Sequence, residues 1–528
     1  MSFESSVSRD SELSLAAQEN APEPHMGLMS SSNMIIGLII GSGIFASPGP
    51  VTAKVGAVGA SLIVWAVAGV LSMIGALCYA ELGTMITKSG GEYQYLKSSF
   101  GSCLSIVFSW ANLLLTNPIG TASIATVFGR YVLEMAYFDI NDPTGENTYM
   151  PEYAIKLTTI GCIWVVVLFN CYGRKAGTWV ANFFTVAKLI ALFMIIIIGF
   201  VWLGKGGTSN FHNAFEGAST DPLRYGTAMY MALFSYNGWN NLNYGISEVK
   251  NPKRNLPLAI IISCVSVTII YILANIAYFA TLSYDTMVTS SAVAMQLGLT
   301  AMGEGGAYFF ALMVAFSTFG AVNANIWAGS RLVMTAANED SVFIPSFFGK
   351  TNEKNGAPMR ALIFVGFITT IWSLPGDFTY LATVYSFLCW LFYGITVSGL
   401  IYMRFKKSTK EMERPFKIWL PFAIFFVILD VYLVVAPLID AGADGVTIYV
   451  VCILICLLSV PVWFVRVYKP EIGRKLFGWI RGYDDARMVK LQREEQLKEV
   501  RQEAYNIETK IRGAPLQPEI KLPTNTEN

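Results

Sequence analysis

The sequence predicts an all-α integral membrane protein with twelve transmembrane helices, of which the first and the sixth are broken. Three observations predict this fold class. The chain of 528 residues is 54% hydrophobic and 14% charged, whereas a soluble domain carries about 25% charged residues. Apolar stretches of membrane-spanning length recur along the chain. Two of these stretches, five apart, are interrupted by glycine and polar residues at comparable positions.

The number of helices follows from the length of the apolar stretches. A hydrocarbon core about 30 Å thick needs about 20 apolar residues in a helix. This criterion gives twelve candidates, which we number spans 1 to 12. In chain order they are 31–56, 58–86, 101–133, 154–172, 177–203, 223–248, 256–281, 303–335, 359–376, 378–403, 415–437 and 446–468.

The apolar stretches divide the chain into three parts. Residues 1–26 are rich in Ser, Glu and Ala and contain neither a basic nor an apolar segment, so they predict a disordered cytoplasmic tail rather than a signal peptide. Residues 27–469 form the predicted transmembrane domain. Residues 470–528 form a charged cytoplasmic tail, in which residues 484–502 space their apolar side chains for an amphipathic helix.

Loop charges predict the orientation in the membrane. One set of loops is basic, and the opposite set is acidic, as in the segment YFDINDPTGENTYMPEY. The basic loops should face the cytoplasm. With twelve spans, both termini then lie on that side of a multi-pass protein, which we expect in the plasma membrane. The basic loops carry Lys88, Lys97, Arg174, Lys175, Lys250, Lys253, Arg254, Lys350, Lys354, Arg360, Arg404, Lys406, Lys407 and Lys410.

Residues that support metal or triad chemistry are scarce. The two histidines, His25 and His212, lie in predicted loops, and the eight cysteines form no CxxC pair. No basic patch accompanies a nucleic-acid-binding motif. We therefore expect no enzyme activity, no catalytic residue, no cofactor, no metal and no nucleic-acid partner.

Span 1 carries the triplet Gly41-Ser42-Gly43 near its middle. Glycine costs about 1 kcal/mol relative to alanine in a helix interior, and two glycines around a serine permit unwinding and close approach of a ligand. Freed N–H groups at the start of a half-helix suit a carboxylate. A close-packing face of small residues, as in GxxxG motifs, is the alternative.

Span 6 carries Ser235, Asn237, Gly238, Asn240 and Asn241. Amides near the membrane middle are costly unless they face a cavity or each other, and unwound carbonyls there would accept hydrogen bonds from an ammonium group. The two breaks together would bind the carboxylate and ammonium of an amino acid. No acidic residue lies beside either break in the sequence, which favours a neutral side chain. Because five spans separate the breaks, spans 1–5 and 6–10 predict two inverted repeats.

Longer motifs resemble those of a known family. GSGIF with the following Pro48, YNGWNNLNYGISEVKNPKRNLPLAI, GGEYQYL (90–96), SRLV (330–333) and ERPFK (413–417) look like motifs of the L-type amino acid transporter light chains of the APC superfamily. The resemblance covers roughly residues 30–465. It implies a LeuT-like fold with a 5+5 inverted repeat, and sodium-independent amino acid transport, usually by obligatory exchange.

The resemblance also implies which residues bind the substrate. The carboxylate-binding turn falls in span 1, the amine-binding turn and an aromatic gate fall in span 6, and Trp390 matches an aromatic residue at the far end of the pocket. Phe234 would close over the substrate; plain packing is the alternative for both aromatic residues. Asn237 stands where the family has glycine or another small residue, so it would narrow the side-chain pocket or add a polar contact. The implied residues are Ile39, Ile40, Gly41, Ser42, Gly43, Phe234, Ser235, Tyr236, Asn237, Gly238, Asn240 and Trp390.

The expected partners are an amino acid substrate and the lipid bilayer. Animal members of the family carry a cysteine in the external loop between spans 3 and 4, which bonds a glycoprotein heavy chain. The corresponding loop, from Tyr131 to Tyr153, contains no cysteine. We therefore expect no disulfide-linked heavy chain, a pattern that resembles the fungal or bacterial relatives.

Lys188 and Asp430 are charged residues deep inside predicted spans, and each needs a partner there. Lys188 lies about 18 Å from the basic end of span 5 at 1.5 Å per residue, so its ammonium must bind within the bundle. Carbonyls near Gly41 and the hydroxyl of Ser317 in span 8 are the expected partners. The resemblance implies that this lysine does the structural work of a sodium ion. We expect Asp430 in span 11 either to make a hydrogen bond to a neighbouring helix or to take part in proton coupling.

These observations favour sodium-independent transport of neutral, large L-amino acids by alternating access, in exchange for another amino acid. A proton-coupled methionine-type permease is the alternative within this class. A channel or receptor would not need paired helix breaks. A membrane enzyme such as an acyltransferase would need a catalytic cluster near a membrane face.

Overall fold

The structure, a computed structural model, describes residues 25–88, 90–138, 150–172, 174–339, 346–352, 357–406 and 412–468. Residues 1–24 of the predicted N-terminal tail lie outside the described residues. The predicted C-terminal tail, with its amphipathic helix, also lies outside them.

The described residues are helical, as predicted, and their one β pairing is the isolated bridge between Met26 and Val249. Short 3₁₀ and π-helical turns connect or extend some of the α-helices. The α-helices are α1 (Leu28–Ile39), α2 (Gly43–Ala46), α3 (Pro48–Val55), α4 (Val58–Met85), α5 (Glu92–Phe100), α6 (Ser102–Ala111), α7 (Asn117–Ala136), α8 (Glu152–Tyr172), α9 (Arg174–Gly204), α10 (Pro222–Tyr236), α11 (Pro252–Thr281), α12 (Tyr284–Thr289), α13 (Val293–Met302), α14 (Glu304–Glu339), α15 (Met359–Trp372), α16 (Phe378–Phe405), α17 (Leu420–Asp440), α18 (Gly442–Leu457) and α19 (Ser459–Trp463).

Within the described residues, ten helices are long and apolar enough to cross a membrane. They fall on spans 1–5, 7, 8 and 10–12. Span 6 is divided into α10 and a 3₁₀ segment, Asn241–Glu248, and span 9 is the 14-residue helix α15. Span 6 is short because it is interrupted, and α15 ends just before Pro375 and Gly376, residues that terminate helices. A total of twelve transmembrane helices and the inverted repeat stay predictions.

Capping residues set the starts of two helices that carry predicted site residues. Asp221 accepts a hydrogen bond from the N–H of Leu223 at 2.9 Å, and Pro222 occupies the first turn of α10. Asp377 caps α16 in the same way by accepting from the N–H of Tyr380 at 2.9 Å. Both helices therefore begin where short-range sequence signals place their first turn.

The interrupted spans lie inside the bundle. Helix α1 packs against α11, and α11 packs along α4, while α10 contacts α3, α4, α16 and α17. Helix α14 packs against α7, α9 and α13. Ile40, Ile44 and Tyr271 are each 0% exposed, so the residues around the interruption of span 1 are buried, while Gly41 itself is half-buried.

The start of span 1 is joined to the end of span 6 by backbone pairing. The N–H of Met26 donates to the carbonyl of Glu248 at 3.0 Å, and the N–H of Lys250 donates to the carbonyl of Met26 at 2.9 Å. His25 makes the same contact with Glu248 through its N–H, at 3.0 Å. The last two residues of the predicted tail are therefore bonded to the transmembrane domain.

A buried ion cluster joins α4 to the end of α16 and to the ERPFK segment. The carboxylate of Glu81 is fully buried, and the guanidinium of Arg404 contacts both of its oxygens, with Nε 3.0 Å from Oε1. Arg414 lies 3.6 Å from the same carboxylate, and the N–H of Ile418 donates to it at 2.9 Å. A carboxylate without water is retained only where cations and N–H groups surround it, so the cluster fixes the 413–418 segment against α4.

We expect Arg404→Met to destabilise the protein by about 3–5 kcal/mol, because the buried carboxylate of Glu81 loses its bidentate partner. The measurement is the midpoint of thermal unfolding of the purified protein in nanodiscs. Lys253→Met is the matched control, because the ion pair of Lys253 with Glu413 is exposed on both sides and such pairs contribute little. Equal midpoints for the two variants would show that the cluster does not stabilise the fold.

Candidate functional site

Span 1 is interrupted where the glycine triplet predicts a break. Helix α1 ends at Ile39, Ile40 is extended with φ −68° and ψ 94°, and helical structure resumes at Gly43. A Cβ placed on Gly41 would meet one neighbouring atom, the carbonyl oxygen of Ile39, at 3.8 Å, which is ordinary contact. We call residues 40–42 the first break.

Span 6 is interrupted in the same manner. Helix α10 ends at Tyr236, Asn237 is extended with φ −62° and ψ 147°, and the 3₁₀ segment begins at Asn241. Gly238 has φ +116°, a conformation that L side chains rarely adopt. We call residues 237–240 the second break.

The two interruptions approach each other through their glycines. A Cβ on Gly43 would lie 2.5 Å from the hydroxyl and 2.6 Å from the Cα of Ser235. A Cβ on Gly238 would lie 3.1 Å from the carbonyl carbon of Leu38 and 3.3 Å from the nitrogen of Ile39. The close-packing interpretation therefore holds for Gly43, whereas Gly41 has room around it.

Tyr271 of span 7 bridges the two interrupted helices. Its hydroxyl lies 2.9 Å from the carbonyl oxygen of Ile39 and 3.0 Å from that of Ser235. A tyrosine hydroxyl has one proton, so the two carbonyls share it. Sequence reasoning missed this residue, because a single tyrosine in an apolar helix gives no sign of where its hydroxyl points.

Aromatic residues enclose the region beside the second break. The ring of Phe234 lies edge-on to Phe378 at 5.4 Å and to Tyr385 at 5.5 Å, with 8% of its surface exposed. The amide of Asn237 donates to the hydroxyl of Tyr393 at 3.2 Å. Trp390 is 2% exposed and its ring centre lies 5.7 Å from that of Tyr393. These residues make an aromatic wall with one uncharged polar pair, formed by Asn237 and Tyr393.

Several predicted site residues direct their side chains to structural partners. The hydroxyl of Tyr236 donates to the carbonyl of Trp65 at 3.1 Å. Ser235 donates to the hydroxyl of Ser47 at 3.1 Å. The side chain of Ser42 is 2% exposed. Ser235 and Tyr236 can therefore offer a ligand only their backbone groups, unless these side-chain bonds break.

Asn240 is bonded to another loop of the protein. Its amide donates at 2.5 Å to the carboxylate of Glu92, in the GGEYQYL motif. The sequence argument overlooked this acidic residue, which lies 148 positions away in the chain. Neither motif carries a local signal that the two side chains meet, so the sequence could not predict this contact.

Lys188 reaches the backbone of span 1. Its ammonium donates to the carbonyl of Gly37 at 2.6 Å, one helical turn before the predicted carbonyls near Gly41. The hydroxyl of Ser317 is buried, and among the described residues it has no hydrogen-bond partner. The structure thus brings Lys188 to the broken helix and does not bring Ser317 to Lys188.

The described residues include no group of three or more His, Cys, Asp or Glu side chains that could hold a metal ion. The groups that could contact a ligand are the backbone at the two interruptions and the aromatic and amide side chains beside the second break. Paired interrupted helices at the centre of a multi-span membrane protein define the class of secondary transporters.

The chain belongs to the amino acid permease family, whose sequence profile matches residues 26–479. The resemblance to L-type amino acid transporters of the APC superfamily is confirmed by this match and by the relatives described next. The same findings confirm that the chain is a transporter rather than an enzyme.

Three relatives are similar over most of their length. The human "b(0,+)-type amino acid transporter 1" is 39% identical over 474 residues, which cover 89% of this chain and 93% of the relative. The human "Cystine/glutamate transporter" is 38% identical, with 83% and 84% covered. The rat "Large neutral amino acids transporter small subunit 2" is 37% identical, with 88% and 86% covered.

We expect Gly238→Ala to lower amino acid uptake about tenfold or more, because the positive φ and the adjacent backbone of span 1 leave no place for a methyl group. The measurement is the initial uptake rate at equal surface expression. The matched control is Gly245→Ala in the same span, where φ is −115° and nothing lies within 4 Å of the added Cβ. Normal uptake by Gly238→Ala would mean that the close approach of the two spans is not needed for transport.

Proposed function

We propose that the protein carries neutral, large L-amino acids across the membrane by sodium-independent alternating access, in exchange for another amino acid. The observation that supports this most strongly is the approach of the two breaks, bridged by Tyr271. Ends of interrupted helices offer unpaired N–H groups on one side and unpaired carbonyls on the other. The α-carboxylate and α-ammonium of one amino acid are complementary to such a pair of helix ends.

The carboxylate is assigned to the first break and the ammonium to the second. The N–H groups at the start of α2 carry the positive end of its dipole, which favours an anion. Carbonyls at the end of α10 carry the negative end, which favours a cation. Gly41 supports the assignment, because a Cβ on it would make only an ordinary contact, 3.8 Å from the carbonyl oxygen of Ile39, whereas Gly43 is tightly packed on Ser235.

A neutral substrate side chain fits the residues beside the second break. A cationic side chain would need a carboxylate there, and the nearby Glu92 is already bonded to Asn240. The pair of Asn237 and Tyr393 is polar and uncharged. The relatives have names that refer to different substrates, so the side-chain preference of this chain has to follow from its own residues. Phe234 is the proposed gate over the bound substrate.

Lys188 is the basis for proposing independence from sodium. A cation that bridges span 1 to its neighbours would stabilise the carbonyls released by the break. The ammonium of Lys188 is covalently attached and already donates to the carbonyl of Gly37. Ser317, with a buried hydroxyl that lacks a partner among the described residues, is the proposed second contact in another conformation of the transport cycle.

The proposed setting is the plasma membrane with both termini in the cytoplasm, on the evidence of the basic loops. One relative is named as a small subunit, which implies a second subunit for that protein. We propose that this chain has no disulfide-linked heavy chain, because the segment from Tyr131 to Tyr153 contains no cysteine.

Uptake of labelled amino acids into proteoliposomes tests the proposal. We expect uptake of large neutral amino acids to require an unlabelled amino acid inside the vesicles and to be unchanged when choline replaces sodium. Labelled arginine and glutamate are the comparison substrates. Uptake into empty vesicles at the same rate would contradict exchange, and a requirement for sodium would contradict the role given to Lys188.

Lys188→Ala should reduce exchange about tenfold or more, because the carbonyl of the half-buried Gly37 loses its charged donor. Lys156→Ala is the matched control: that lysine also donates to a carbonyl, of Leu374, at 2.6 Å, but at an exposed site away from span 1. The measurement is the initial exchange rate at equal protein content. An equal loss in both variants, or full activity of Lys188→Ala, would remove Lys188 from the mechanism.

Proton-coupled uptake is a second candidate function, and Asp430 is the observation that favours it. The side chain is 4% exposed in span 11, and its Oδ1 has no hydrogen-bond partner among the described residues. It lies directly against Gly394 of span 10, where any larger residue would collide with the carboxylate. A buried carboxyl of this kind can carry a proton through a transport cycle.

Asp430→Asn distinguishes the two candidate functions. If transport is proton-coupled, an inward proton gradient accelerates uptake by the wild type, and the variant loses that acceleration because the amide cannot release a proton. If the protein is an exchanger, the gradient has no effect on either protein. The measurement is uptake with and without the gradient, at one internal amino acid concentration.

A further inference from the structure

The GGEYQYL motif folds so that its carboxylate points into the protein. Gly90 and Gly91 have positive φ values of 126° and 51°, and Glu92 begins helix α5 immediately after them. Glu92 is 1% exposed although it lies in a loop between spans 2 and 3. Buried carboxylates are rare unless donors surround them, so this position needs an explanation.

The explanation is a direct connection to span 6. The carboxylate of Glu92 accepts a hydrogen bond from the amide of Asn240 at 2.5 Å. The next contact lies three positions further along α5, where the hydroxyl of Tyr95 donates to the amide oxygen of Asn243 at 2.9 Å. The amide of Asn243 in turn donates to the carbonyl of Asn240 at 3.1 Å. Two motifs that are far apart in the sequence therefore form one hydrogen-bonded unit.

The surroundings leave this unit little room to move. A Cβ on Gly83 would lie 2.6 Å from the amide oxygen of Asn243, and a Cβ on Gly91 would lie 3.1 Å from the ring of Tyr244. Burial raises the pKa of the Glu92 carboxyl above its usual value, and the hydrogen bond from Asn240 offsets only part of that shift.

The second break needs such an external support. Residues 237–240 lie between an α-helix and a 3₁₀ segment, so no regular ladder of helical hydrogen bonds fixes them. Their position depends on groups outside span 6. Glu92 holds the last residue of this segment, three positions after the residue that carries the polar side chain beside the proposed substrate.

We propose that Glu92 is a positioning residue for transport: through Asn240 it holds the second break in the arrangement that binds the substrate's ammonium group. It acts through span 6 and does not touch the substrate. The inference rests on the proposed substrate site at the two breaks, and it adds a residue from the loop between spans 2 and 3 to the parts that determine how well that site binds.

A set of four variants tests the proposal in proteoliposomes. Glu92→Ala should raise the KM for the amino acid about ten- to hundredfold, because the amide of Asn240 loses its buried carboxyl acceptor. Glu92→Gln keeps an oxygen acceptor and should remain within about fivefold of the wild type. Asn240→Asp places two carboxylates together and should be inactive at neutral pH, with recovery as the pH falls. The double variant Glu92→Gln, Asn240→Asp restores an amide beside a carboxylate and should recover most of the activity.

The rescue is the decisive comparison. If the double variant is no more active than Asn240→Asp alone, or if Glu92→Ala has the wild-type KM, the proposal is wrong. A pure folding defect would lower the amount of active protein without raising KM. Should Glu92→Ala fail to fold, the Asn240→Asp variant and its rescue still decide the question.

Hydrogen exchange provides a measurement that does not depend on transport. Amides of residues 238–246 should exchange about tenfold faster or more in Glu92→Ala than in the wild type, and nearly as slowly in Glu92→Gln. Equal exchange in all three proteins would overturn the proposal. If the wild type transports no amino acid, the proposed function fails, while this measurement still decides whether Glu92 holds the second break.

Discussion

Two interrupted helices leave backbone hydrogen-bonding groups inside the membrane, and these groups must find partners. A break inside a membrane-spanning helix releases backbone groups that neither lipid nor neighbouring turns can satisfy. Tyr271 meets one carbonyl from each interrupted span with a single hydroxyl, and Lys188 meets a third carbonyl, that of Gly37. Fixed side chains thus satisfy part of the requirement. The proposed substrate would bind the backbone N–H and carbonyl groups that these side chains leave without a partner.

Close approach is the second condition, because the groups of both breaks must reach one small molecule. Gly43 packs on Ser235, and Gly238 packs on the backbone of Leu38 and Ile39. Contacts outside the breaks then hold them in place. The pairing of Met26 with Val249 joins the two interrupted spans at one end, and Glu92 accepts a hydrogen bond from Asn240, the last residue of the second break. The site is therefore built mainly from backbone, with side chains as supports.

The sequence predicted the helices and the places where two of them break, because apolar length and glycine are local signals. Lys188 was also predictable as a residue that must find a partner inside the bundle, although its carbonyl lies one turn from the expected one. Tyr271 and the partner of Asn240 were not predictable. The sequence does not show where a hydroxyl in an apolar helix or an amide beside a break points. Their partners also come from distant parts of the chain.

A structure of the protein with a bound neutral amino acid, determined by electron cryomicroscopy in nanodiscs, would show whether the two breaks bind the substrate. We expect density for the α-carboxylate at the N–H groups that follow Gly41, and for the α-ammonium at the carbonyls that end helix α10. Phe234 should contact the substrate from one side. Density for the amino acid at any other place, with both breaks unoccupied, would contradict the account.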